Sequence, residues 1–353
     1  LGRLQAKSET IQGVETDYRY EYDDQNRLSK VLVNGVLKSN YEYDQNDNCI
    51  KVNGLEVAQY DEQDRLISYG DSSYVYNPNG DLSSKSTGAV TVNYDYDELG
   101  NLVSFNKPGL NTQYIIDGNN RRIAKKLNGN IVQRFLYKDQ LEPIAELDAS
   151  GSVITRYIYG TRPHVPDYMI KAGTKYRIIS DNIGSVRLVL EVATGTIAQR
   201  LDYDEFGNVI LDTNPGFQAF GFAGGIYDTD TKLVKFGARD YDPAIGRWIS
   251  KDPILFNGGQ VNLYVYVAND PVNLVDLTGT AQFGIGPIYI FDFIGLPVVN
   301  SSFLDSHNIA LAHEHIFFDD KKKYKDLGFF PDQGARQLDG STGERVTDFQ
   351  KFG

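Results

Sequence analysis

The sequence predicts an all-β protein built from short antiparallel strands. Three observations carry this reading. The 353 residues include 24 Tyr and 34 Gly against one Trp and one Met; Tyr favours pleated, half-buried surfaces and Gly marks tight turns. A Tyr-x-Tyr-Asp unit recurs about every twenty residues. No apolar stripe of 3.6-residue period and helical length occurs up to about residue 240.

The units follow one another along the chain. Tyr20-Glu21-Tyr22-Asp23 leads to Asn26-Arg27-Leu28, and Tyr41-Glu42-Tyr43-Asp44 leads to Asn46-Asp47-Asn48. Tyr60-Asp61 leads to Asp64-Arg65-Leu66, and Tyr76-Asn77 to Asn79-Gly80-Asp81-Leu82. Tyr94-Asp95-Tyr96-Asp97 leads to Leu99-Gly100-Asn101-Leu102. A degenerate copy runs from Tyr114-Ile115-Ile116-Asp117 to Asn120-Arg121-Arg122-Ile123. The anchors fall at 22, 43, 60, 76, 96 and 116, so the steps are 21, 17, 16, 20 and 20. A period of this size marks a repeat architecture.

Each unit reads as a hairpin. Alternation of aromatic and polar residues is the period-2 pattern of a strand with one buried face. Asp, Asn and Gly then supply a turn, because they tolerate positive φ and bond their own backbone. Leu28 to Val33 is such a return strand, and Asn34-Gly35 and Asn53-Gly54 add further hairpin signals. The expectation is one continuing antiparallel sheet.

Charge and composition narrow the function. The net charge of -12 argues against a nucleic-acid partner or an anionic membrane surface, both of which need a basic face. At 41% hydrophobic content the chain can bury a large core. No run of about 18 apolar residues occurs, so no membrane-spanning segment is expected. A single Cys, Cys49, excludes an internal disulfide framework and a multi-Cys metal site. No cofactor is expected. The start, Leu1-Gly2-Arg3, has no Met and no signal-peptide pattern, and reads as a piece of a longer chain.

The Tyr-Asp units resemble the YD repeats of RHS proteins, which are also found in bacterial Tc-toxin C components and animal teneurins. The resemblance implies repeats that spiral into a hollow β shell. A second stretch is more specific. It holds Asp181-Asn182-Ile183-Gly184-Ser185-Val186-Arg187, Tyr203-Asp204-Glu205-Phe206-Gly207-Asn208 and Phe236-Gly237-Ala238-Arg239-Asp240-Tyr241-Asp242-Pro243. It continues through Ile245-Gly246-Arg247-Trp248-Ile249-Ser250-Lys251-Asp252-Pro253 and Asn262-Leu263-Tyr264-Val265-Tyr266 to Asn269-Asp270-Pro271. This resembles the RHS-repeat-associated core that caps the family's shell. The implied organisation is YD repeats over 1–136, the core over 137–280 and a variable toxin region over 281–353, the last a small α+β or partly disordered tail. Read residue by residue, Gly237, Gly246 and Gly279 are turn positions, Trp248 is a packed anchor and His164 a loop residue. Arg239 is expected to pair with its neighbours Asp240 and Asp242.

The resemblance also implies self-cleavage by two Asp residues, one in each of two Asp-Pro-x-Gly-Leu motifs. The first copy here is Asp252-Pro253-Ile254-Leu255-Phe256 and the second Asp276-Leu277-Thr278-Gly279-Thr280. Two nearby carboxylates share a proton, so one can act as base and the other as acid. The cut would fall between Thr280 and Ala281. Three positions depart from the pattern. Leu255 replaces Gly, Leu277 replaces Pro, and Thr280 replaces the Leu before the cut. Lys251, beside Asp252, is a candidate to tune the pair.

The tail changes character. Its 73 residues carry 7 basic and 10 acidic residues and three of the four His. Asn308 to Phe318 reads as a strand, Asp319 to Lys323 as a charged turn, and Leu327 to Asp332 as the return strand. His313 and His315 share a strand face, with His307 or Asp305 as a further metal ligand. The hairpin also weakly resembles the His-bearing hairpin of permuted papain-like folds, although no Cys follows it. Packing or surface histidines are the third reading. The overall expectation is a β shell that encapsulates and delivers a toxin, freed by aspartyl self-cleavage. The alternative is a non-cleaving structural or binding module whose tail is a plug or adhesive segment. The implied partners are the rest of the shell, an N-terminal delivery region, secretion spike proteins and a cognate immunity protein. The implied destination is a target cell, reached by type VI or similar secretion.

Overall fold

A computed structural model describes residues 2–280 and, beyond them, the strands Gly284–Ile285, Glu314–Phe317, Leu327–Phe330 and Gly334–Gln337. The chain is all-β, as the repeats predict; among the described residues the only helical segments are three short 3-10 turns. It forms two compact units. One comprises Leu1–Asp23, Ser29–Ser39 and Pro287–Gly353, the other Asp24–Leu28 and Asn40–Gly286.

In the larger unit, sixteen strands run from Ala58–Tyr60 to Val209–Asp212, each pairing with its neighbour in sequence. The turn between strands explains the Asp of the repeat. The Asp97 Oδ1 accepts the backbone N–H of Leu99 and of Asn101, both at 2.9 Å. Asp61, Asp117 and Asp204 do the same two and four residues on. Three residues after each Asp the backbone is left-handed, at Asp64 (φ 58°), Gly100 (φ 83°), Asn120 (φ 60°) and Gly207 (φ 89°). Only Gly, Asn and Asp enter that region cheaply, which is why these types recur there. The same turn appears at Asp148 and Asp181, inside the stretch read as core rather than repeat.

The two Tyr of the unit do different jobs. The first is buried, as in Tyr74, Tyr94 and Tyr114 at 5–6% exposure. The second donates its hydroxyl to a carbonyl of the preceding repeat, Tyr43 to Leu28 at 2.7 Å and Tyr137 to Arg122 at 3.0 Å. Five residues after the turn Asp, or after Asn77 in the fourth unit, Leu28, Leu66, Leu82 and Leu102 point into the core. Each fully buried Leu stabilises the fold by about 1.5–3 kcal/mol.

The segment 220–280 packs on this sheet. Ile245 and Ile249 join Leu66, Leu82 and Leu102 in one core cluster. Polar side chains fix the register of the contact. Arg247 donates to Asn48 Oδ1 (2.8 Å) and to the Asp64 carbonyl (2.7 Å), and the Tyr264 hydroxyl to the Gly80 carbonyl (2.8 Å). Repeat turns thus form the seat of the cap.

In the smaller unit Ala6–Ile11 pairs with Val14–Tyr22 and also with Glu314–Phe317. This corrects the expected tail hairpin. Leu327–Phe330 pairs with Gly334–Gln337 instead of with Glu314–Phe317. The closer partner lies three residues on rather than nine, and a shorter loop costs less entropy to close.

Candidate functional site

The cap is a four-stranded sheet in the order Ile226–Tyr227, Val234–Phe236, Arg239–Asp242 and Arg247–Trp248. All four residues of Arg239–Asp242 are buried. Behind them Phe236, Tyr241, Trp248 and Tyr266 form an aromatic cluster with ring centroids 4.5–6.3 Å apart. Trp248 is the packed anchor expected of it. The Arg239 guanidinium lies over its ring, 4.1 Å from the centroid.

Arg239 does not pair with Asp240 or Asp242, contrary to the expectation from adjacency. Successive strand residues point to opposite faces or along the strand away from each other. Asp240 goes to Arg122 (2.9 Å) and Lys235 (3.4 Å), and Asp242 to Lys85 (3.8 Å). The Arg239 Nη2 instead sits 3.0 Å from Asp252 Oδ2 and 3.0 Å from Asp276 Oδ2. The fold therefore brings Asp252 and Asp276 together on one nitrogen, with the two oxygens at most twice that distance apart. Both carboxylates are buried, at 2% and 1% exposure.

Each Asp has its own supports. Asp252 donates its N–H to the Leu263 carbonyl (3.1 Å), and its Oδ1 accepts from the Ile254 N–H (2.9 Å). Its Oδ2 is an ion-pair partner of Arg239, yet it is buried with no aligned hydrogen bond. Asp276 accepts at Oδ1 from the Thr280 N–H (3.0 Å) and the Thr278 hydroxyl (3.2 Å), and at Oδ2 from Arg239. Burial raises the Asp252 carboxyl above the usual Asp range, with the Asp276 charge adding and the Arg239 charge opposing.

Arg239 also holds the segment that follows Asp276. Its Nε donates to the Gly279 carbonyl (2.7 Å) and its Nη1 to the Leu263 carbonyl (3.2 Å). The Ala238 N–H donates to the Thr278 carbonyl at 2.8 Å. This approach needs glycine on both sides. Gly237 (φ 40°) and Gly279 (φ 65°) are left-handed, and a Cβ on either would overlap the backbone of the other segment. Both are turn positions, as read from the sequence.

Thr280 is thus held by its own amide, one residue before the expected cut. Ala281, His307 and His313 lie outside the described residues. His315 lies on the backbone of Glu314–Phe317, opposite Ser8. Burial raises the Asp81 carboxyl above the usual range, and the charge of Lys251 opposes it. Among the described residues no group of His, Cys, Asp and Glu is arranged to hold a metal ion, and no helix is long and apolar enough to cross a membrane. Sequence reasoning missed Arg239 as the bridge, because its partner Asp276 is 37 residues along the chain. Its neighbours in sequence gave no signal.

Comparison with known proteins adds the family. Residues 1–272 match the family model of the teneurin YD-shell. Human teneurin-4 is 33% identical over 275 residues, covering 73% of this chain and 10% of the relative. Zebrafish teneurin-3 is 32% identical over 279 residues, covering 74% and 10%. The tRNA3(Ser)-specific nuclease WapA of Bacillus spizizenii is 30% identical over 231 residues, covering 63% and 10%. Among solved structures, a crystal structure of TcdB2-TccC3-TEV aligns at 20% identity and a TM-score of 0.45, covering 75% of this chain and 17% of that one. The chain spans about a tenth of the length of the curated relatives it matches.

Proposed function

Since the chain belongs to the teneurin YD-shell family of RHS/YD-repeat shell proteins, we propose that it forms the closing end of a toxin-delivering shell and cuts itself after Thr280. One observation carries this reading. Two Asp residues that are distant in sequence converge in a dry site, and one of them holds the amide of Thr280.

The chemistry follows from that geometry. Asp252, with its raised carboxyl and a buried, unaligned Oδ2, carries the proton and polarises the Thr280 carbonyl. Asp276, held by Arg239, takes a proton from water. The water oxygen bonds to the Thr280 carbonyl carbon, the bond to the Ala281 nitrogen breaks, and that nitrogen leaves with the proton that Asp276 took from water, so that both carboxyl groups end as they began. Burial of the pair strengthens each of these interactions. The cargo would begin at Ala281, with the repeats over 1–136 and the core over 137–280 as its container. The relative WapA is named as a nuclease, which supports a delivered toxin downstream. Type VI or similar secretion, spike proteins and an immunity protein follow from the family resemblance.

The bridging guanidinium favours a second reading, in which Arg239 neutralises a static pair in an uncut structural module. Intact-mass measurement separates the two. The parent chain yields two fragments meeting at Thr280 and Ala281, and Asp252→Asn yields one species of 39.5 kDa. A parent chain that stays whole, in the presence of its full shell, hands the argument to the uncut module.

A further inference from the structure

The sixth repeat breaks its own rule. Five residues after the turn Asp or Asn, four repeats bury a Leu, Leu28, Leu66, Leu82 and Leu102, at 0–1% exposure, and the second repeat places the apolar Cys49 there. Counted the same way from Asp117, the slot holds Arg122, 6% exposed. A cation has replaced the core leucine. Its guanidinium lies 3.6 Å from the Tyr114 ring centroid and pairs with Asp240 at 2.9 Å. Lys235, also 6% exposed, lies 3.4 Å from the same carboxylate. Two buried cations therefore share one anion.

Both cations face an opening. Arg122 and Lys235 both line a cavity of about 40 Å³, and no carboxylate is among its walls. Arg121 adds a third cation there, already paired with Asp117 at 2.7 Å. His164 lines it too, with both ring nitrogens buried and making no hydrogen bond. The Arg122 Nε is buried without a hydrogen-bond partner. The rest of the wall includes the apolar Phe236 and Leu277. An uncompensated buried charge is strongly unfavourable, so it is either neutralised or matched by a counter-ion. Burial already holds the Lys235 amine down, at about 8.

We infer that this cavity is a binding site for a small oxyanion, a carboxylate or phosphate group, held between Arg122 and Lys235. Arg122 brings a planar fork with an open Nε–H, which matches two oxygens of one group. Lys235 brings a point charge from the cap. The occupant therefore ties the sixth repeat to the strand Val234–Phe236. This inference stands apart from self-cleavage, since it uses neither Asp252 nor Asp276.

The test is calorimetric titration of the whole chain at constant ionic strength. The probes are inorganic phosphate, acetate and a synthetic acidic hexapeptide. At least one binds with a dissociation constant of roughly 1 mM or tighter. Arg122→Leu, which restores the repeat's own residue, weakens that binding at least tenfold, and so does Lys235→Met. Trp248 emission and far-UV circular dichroism check that each variant is folded, and either folded variant suffices. Binding of phosphate or acetate makes the occupant a free ion, and binding of the peptide alone makes it a chain carboxylate. No binding by any probe, or binding unchanged in a folded variant, overturns the site.

Discussion

The repeat sheet over 58–212 and the cap over 220–280 use polar residues in opposite ways. In the sheet's turns the partners are close in sequence. Asp97 bonds amides two and four residues on, and Tyr137 reaches a carbonyl 15 residues back. In the cap the partners are remote. Arg239 reaches 37 residues to Asp276, and Arg247 reaches 199 residues to Asn48. The turn carboxylates of the sheet set local conformation beside exposed residues such as Leu99, where water can substitute for part of a lost partner. The cap's polar groups are buried, where nothing can. A lost contact should therefore cost little in the first region and much in the second.

The sharpest way to break the comparison is Arg239→Met. It removes one cation and leaves two buried carboxylates facing each other. Breaking a buried pair in this way costs about 3–5 kcal/mol. Trp248 is the only tryptophan and lies in the cap, so its emission reports on that region, while far-UV circular dichroism reports mainly on the sheet. In urea the Trp248 transition should move to much lower denaturant than the dichroism transition. If both move together, sheet and cap are one cooperative unit and the contrast is only geometric.

The same contrast decides what was legible in the sequence. The repeat was readable because its physics is local. An Asp, then a left-handed position filled by Gly, Asn or Asp, then a buried Leu, can be seen within six residues of chain. The turns at Asp148 and Asp181 were missed because no Tyr-Asp pair precedes them. The pairing of Asp252 with Asp276 came from resemblance to a family, not from spacing; only the fold brings them to one nitrogen. Arg239 was given the wrong partners because adjacency in a strand is not contact. Arg122 looked like a degenerate repeat residue, and its meaning depends on Asp240 and Lys235, which lie more than a hundred residues away.

A pH titration tests the buried side of the contrast with a smaller effect. Burial, with Arg162 nearby, holds the His164 ring down at about 4 against an ordinary value of 6.5. The folded state thus prefers the neutral ring. Stability from this group is fully present above pH 6.5 and is lost as pH falls toward 4. Between pH 7.5 and pH 5 the parent should lose about 2 kcal/mol more than His164→Gln. An equal loss in both would place the ring in contact with solvent and remove it from the buried set.

The smallest effect belongs to the sheet, at Asp97. Asp97→Ala removes the acceptor for the Leu99 and Asn101 amides and for the Asn101 side chain. Leu99 is exposed while Asn101 is buried, and the loss is of single neutral-partner hydrogen bonds, about 1–2 kcal/mol net. Asp97→Asn should recover most of it. The repeat already shows why, since Asn77 accepts the Asp81 amide through its Oδ1 at 2.9 Å in the same turn position. The dichroism transition should shift slightly and the Trp248 transition hardly at all. A loss at Asp97 as large as that at Arg239 would mean that the turn carboxylates hold the sheet together as a network, and the distinction between a local sheet and a long-range cap would not survive.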